Sequence, residues 1–89
     1  MLCGGISECS FDNEMAIESI NKAIEQYNET NQKSLTFSQF ENLTSQVVAG
    51  IRFRGVAKVN NQGTEELFKF DIWRKPGTQG IEVTTFEKQ

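Results

Sequence analysis

The sequence predicts an α+β fold: an antiparallel sheet of four to five strands wrapped around a single α-helix. Three observations carry this. One stretch near the N-terminus has apolar residues at helical spacing. Most of the remainder alternates apolar and polar residues in runs separated by short turn signals. Strands joined by short turns pair antiparallel, and an apolar-faced helix has to cover one face of the sheet they make. The 89 residues suit one domain. An N-terminal arm or first strand is expected over 1–11, the helix over 12–29 and the antiparallel strands over 34–89.

The arm, Met1 to Phe11, holds two glycines and reads as extended. Asp12 is the expected N-cap, because its carboxylate can accept from the free N–H groups of a first helical turn. In "NEMAIESINKAIEQYNE", Ala16, Ile20, Ala23, Ile24 and Tyr27 share a face, with Ile17 beside them. Glu18 and Lys22 stand at the i,i+4 spacing that favours an ion pair. "NETNQKS" ends the helix. In "SLTFSQFENLTSQ", Leu35 and Phe37 alternate, and then Phe40 and Leu43 fall out of phase. A second helix or a strand reset by a bulge would account for it; the density of Ser, Thr and Phe favours the bulged strand. "IRFRGVAKV" puts Ile51, Phe53, Ala57 and Val59 on one face. "ELFKFDIW" does the same with Phe68, Phe70 and Ile72, and "IEVTTF" with Ile81, Val83 and Thr85. "NNQGT" and "KPGTQG" are turns by composition.

Composition excludes several function classes. The net charge of −3 offers no basic footprint for displacing phosphate counterions, so nucleic acid is not an expected partner. Arg52, Arg54 and Lys58 share a strand parity and read as a solvated sheet face. No apolar run reaches transmembrane length, and no membrane partner is expected. Histidine is absent, which removes Ser-His and Cys-His nucleophiles. With no histidine and no C-x-x-C, no metal or other cofactor is expected. The two cysteines, Cys3 and Cys9, would close only a short loop beside a free end, and both read as thiols. The start "MLCGGISECS" lacks a basic n-region and an apolar h-region, so the expected location is cytoplasmic.

"QVVAG", Gln46 to Gly50, is locally as good a strand as a hairpin loop. Length decides. Without a turn here, Thr36 to Val59 would form one strand far beyond usual dimensions. In a four-strand meander this first loop and "KPGTQG" fall at one end of the sheet, and "NNQGT" falls at the other. If the arm runs beside the helix, "MLCGG" reaches the loop end as well. Three small, glycine-bearing segments would then make a thin edge suited to a groove.

These residues carry a resemblance. "QVVAG" leading into a strand, a glycine-bearing "MLCGG" start and a later Pro-containing turn resemble the cystatins. "GGISE", "TSQVVAGI", the small size and the absence of spanning disulfides resemble the stefin branch. The resemblance covers almost the whole chain and implies a single cystatin-like domain over 1–89. It implies no enzyme, but a reversible tight-binding inhibitor of papain-like cysteine proteases of the cathepsin type, a wedge that occludes the active-site cleft. By the match, Gly4 and Gly5 belong to the arm, Gln46, Val47, Val48, Ala49 and Gly50 to the first loop, and Pro76 and Gly77 to the second. Stefins usually carry Leu before that Pro, whereas Lys75 stands here and removes an apolar contact. The chain ends at "TTFEKQ", shorter than typical stefins, which implies one C-terminal contact fewer. Trp73 lies three positions before Pro76 and reads as a strand residue rather than as part of that turn.

The competing reading is a cystatin-fold module that binds another protein without inhibiting a protease; the intact pentapeptide argues against it. The expected state is a monomer. A domain-swapped dimer, hinged at the Val-Val loop, and a Cys3-linked dimer are further states. Asn28 and Asn42 begin "NET" and "NLT" sequons, which are expected to be coincidental without a secretory route.

Overall fold

The computed structural model describes residues 6–8, 10–77 and 80–89. Strand β1 (Ile6–Glu8) precedes helix α1 (Glu14–Asn31), and β2 (Leu35–Val48), β3 (Gly50–Asn61), β4 (Thr64–Arg74) and β5 (Ile81–Lys88) follow. The strands form one antiparallel sheet in the order β1-β2-β3-β4-β5. Helix α1 lies on its inner face against β2, β4 and β5. The expected α+β architecture of one helix on an antiparallel sheet is therefore present.

The helix begins and ends two residues later than the sequence suggests. Asn13, not Asp12, is the N-cap: its side-chain oxygen accepts from the Ala16 amide at 3.0 Å, satisfying one of the orphan donors of the first turn. Asp12 is instead engaged by the Ser10 hydroxyl. At the other end Gln32 adopts a left-handed conformation, and the Gln32 and Lys33 amides both donate to the Asn28 carbonyl. Ala16, Ile20, Ala23 and Ile24 are buried as expected, with Ile17 and Tyr27 half-buried against them. Ser19 is also buried, a position that apolar spacing does not mark. Its hydroxyl donates to the Met15 carbonyl at 2.8 Å, so no polar atom is stranded. Glu18 bonds Arg74 of β4 at 2.7 Å rather than staying with its helical neighbour Lys22.

The segment from Leu35 is a strand, not a second helix. Its pairing with β3 shifts between Phe37 and Gln39 and again between Phe40 and Asn42. Each shift inserts one unpaired residue and resets the side-chain parity. Phe37, Phe40 and Leu43 can thereby all face the helix although they are three residues apart. A further irregularity lies in β5. Asp71 pairs with Thr85 but Ile72 pairs with Val83, so Thr84 is the extra residue. The expected alternation of Ile81, Val83 and Thr85 therefore fails at its last member: Phe86, not Thr85, joins the core. It stacks on Phe68 at 4.8 Å, and Tyr27 meets both rings edge-on.

The outer face carries the expected charges, organised around one carboxylate. Asp71 takes a bidentate contact from Arg52, at 2.7 and 3.1 Å, and a third bond from Arg54 at 3.1 Å. The hydrogen bond from Arg52 to Asp71 raises the Arg52 pKa above its ordinary value, against the opposing effect of desolvation. Lys58 pairs with Glu41.

Candidate functional site

The β2–β3 connection is as short as a hairpin can be. Val48 pairs with Gly50 and leaves Ala49 alone at the apex. Gln46, Val47 and Val48 thus belong to the end of β2, and Gly50 opens β3. The narrow turn is made possible by Gly50, whose φ of +92° is strained for any side chain. Glycine is needed there twice over. A Cβ on Gly50 would run into the Arg74 carbonyl oxygen and stand 3.1 Å from the Pro76 nitrogen. The first loop is therefore pressed directly against the start of the β4–β5 loop.

That second loop leaves β4 after Arg74 and returns at Ile81. It is closed by the Lys75 amide donating to the Gly80 carbonyl at 2.9 Å. Pro76 and Gly77 are exposed on it. Its root is fastened to the helix by the Arg74–Glu18 bond and to β5 by Lys75–Glu82 at 3.7 Å. The opposite end of the sheet carries the β3–β4 turn at Gln62 and Gly63, where both φ values are positive as in a type I′ hairpin.

Strand β1 runs antiparallel to β2 with Ile6 opposite Gln46. The chain therefore enters the sheet from the end that carries the first loop. Gly4 and Gly5, and likewise Cys3 and Cys9, lie outside the described residues. Of the candidate residues, the structure brings together Gln46 to Gly50 with Pro76 at one edge, and Gly77 follows on the same loop.

The surface chemistry of this edge is unusual. Val47 and Val48 are 48% and 43% exposed, two adjacent β-branched side chains in water at a protruding turn. Sequence reasoning missed Trp73. It is expected as a strand residue and it is the penultimate residue of β4, but its indole Nε1–H donates to the Ala49 carbonyl at 2.7 Å. The available signal was a Trp near a strand end on the outer parity, whose amphipathic ring can lie along the sheet while its N–H reaches an acceptor.

Among the described residues no three His, Cys, Asp or Glu side chains cluster as metal ligands would. Among the described residues, too, no helix is long and apolar enough to cross a membrane. What the edge offers is preformed shape: a narrow apolar loop braced against a second loop.

Residues 4–76 match the family model described as the cystatin domain. No curated protein sequence matches the chain.

Proposed function

The chain belongs to the cystatin family, whose members are inhibitors of cysteine proteases and not enzymes, and on that premise we propose that it inhibits papain-like proteases reversibly, as a wedge of the stefin type. The observation that carries the reading is the exposed Val47–Val48 pair on a turn braced against the second loop. In this reading Gln46 to Gly50 enter the cleft on one side of the catalytic thiol, with Pro76 and Gly77 beside them. The arm, with Gly4 and Gly5, lies along the other side. The thiol is occluded without being bonded, and no peptide bond is presented in cleavable geometry.

Energetics favour such a wedge. A preformed loop loses little conformational entropy on docking, and burying Val47 and Val48 supplies apolar area. Protease–inhibitor contacts of this kind bury about 1,600 Å² in total and can be very tight. We place the protein in the cytoplasm as a monomer with cathepsin-type partners, able to exchange halves between two copies.

Titrating papain and a lysosomal-type cathepsin with the protein tests the proposal. Stoichiometric, reversible loss of peptidase activity is expected. An absence of inhibition at micromolar excess would sink it and leave a cystatin-fold module with another protein partner. The arm is tested separately by deleting residues 1–5. The complex should then dissociate roughly tenfold faster or more, the worth of one buried Leu2 side chain. Equal dissociation of full-length and truncated protein would make the arm passive.

A further inference from the structure

An exposed apolar turn with a single apex residue has little to hold its shape. Gly50 fixes the base of the first loop against Arg74 and Pro76. The apex, Ala49, is held from another direction. Trp73 donates its indole N–H to the Ala49 carbonyl at 2.7 Å. The same ring carries the Lys75 ammonium 5.9 Å from its centroid, within the range of a cation–π contact. Lys75 opens the second loop. One aromatic side chain therefore touches the apex of the first loop through its polar edge and the root of the second through its π-face.

We infer that Trp73 is a positioning residue that locks the two loops into one block. The inference rests on the wedge reading for its consequence, and on the free protein for its geometry. It also gives Lys75 an internal role. A cation in that place gives up an apolar contact with a cleft, but it caps the Trp73 ring and reaches Glu82. Trp73 and Lys75 together brace the loops from within.

The physical consequence is specific. A residue that contacts the protease holds the complex together, so losing it speeds dissociation. A residue that shapes the loop before docking raises the fraction of molecules ready to dock, so losing it lowers the effective affinity by that fraction. With the loop held by the cleft in the complex, the loss falls on association.

Trp73→Phe keeps an aromatic ring and removes the N–H. Stopped-flow inhibition of papain is expected to show association slowed about threefold or more, the worth of one hydrogen bond, with dissociation nearly unchanged. Urea unfolding should shift by no more than the worth of that one bond, because Trp73 lies outside the core. Faster dissociation with unchanged association would make Trp73 a contact residue and overturn the inference. So would identical rates in both directions.

A second measurement needs neither protease nor variant. Trp73 is the only tryptophan in the chain, so its indole proton gives a single unambiguous resonance. In the locked loop that proton exchanges with solvent more slowly than in a short tryptophan peptide, by about three- to tenfold for one net hydrogen bond. Exchange as fast as in the peptide would overturn the lock even if papain is inhibited. A protected proton in a protein that does not inhibit papain would uphold the lock and reject the wedge reading.

Discussion

Gly50 and Gly63 are a matched pair of probes at the residue scale. Both open or close a hairpin with φ near +90°, at +92° and +94°. They differ in surroundings: a Cβ on Gly63 would meet nothing within 4 Å, whereas one on Gly50 would overlap the Arg74 carbonyl. Gly63→Ala should therefore cost only the dihedral strain, about 1–2 kcal/mol, and leave inhibition intact. Gly50→Ala adds a backbone clash that cannot relax without parting the two loops. Its expected cost is about 3 kcal/mol with a marked loss of inhibition. Urea unfolding and an inhibition constant on both variants check this. Equal effects of the two substitutions would mean that contact between the loops contributes nothing to either property.

At the scale of elements, the link between α1 and β2 depends on one side chain. Asn28 donates from Nδ2 to the Leu35 carbonyl and accepts at Oδ1 from the Leu35 amide, both at 3.0 Å. It thereby satisfies both backbone groups of the first residue of β2, where the sheet has just begun. Asn28→Ala should destabilise the fold by about 1–3 kcal/mol, reduced slightly by the better helix propensity of Ala. Asn28→Asp keeps the acceptor and loses the donor, and should fall between the two in a urea titration. An Asn28→Ala protein as stable as the wild type would show the clamp to be dispensable. Nothing in the local sequence announced this clamp: Asn28 read only as a helix-stopping residue in a coincidental sequon. The strands of β3 and β4 were legible because period-two alternation is unbroken there, from Phe53 to Val59 and from Phe68 to Ile72. In β2 the two bulges space Phe37, Phe40 and Leu43 by three, which is also helical spacing, so periodicity alone could not decide between strand and helix. The bulge at Thr84 hid Phe86 for the same reason. A turn within Gln46 to Gly50 was legible because strand length required one, but its tightness was not: β2 runs on through Val48 and β3 opens at Gly50, so Ala49 alone makes the apex. Trp73 was not, because a hydrogen bond to Ala49 spans 24 positions and leaves no local pattern.

At the scale of the whole molecule, the first loop is the only covalent link between the unit β1-α1-β2 and the unit β3-β4-β5. Helix α1 packs on β4 and β5 as well as on β2, so the two units share one core. If two copies exchange units, every one of those contacts is remade across the pair, and only the loop changes. Straightening it relieves the positive φ of Gly50 and lets Val47 and Val48 continue as strand, which β-branched side chains favour. It also breaks the Trp73–Ala49 bond. The balance between monomer and exchanged dimer would therefore be set by few interactions and by concentration, with a high barrier because the helix would have to leave the sheet. Heating concentrated protein near its unfolding transition and then cooling it should yield a dimer on size exclusion. That dimer should persist in the cold and survive reductant. It should not inhibit papain, since the first loop of the proposed wedge would have become strand. A dimer linked through Cys3 would instead fall apart on reduction and keep its loops. Trp73→Phe, having lost the bond that opposes straightening, should reach the exchanged state at lower temperature than the wild type. Heated protein that remains entirely active monomer, in both the wild type and this variant, would show that the loop, together with Gly50 and its contacts, holds the turn against exchange without the indole bond.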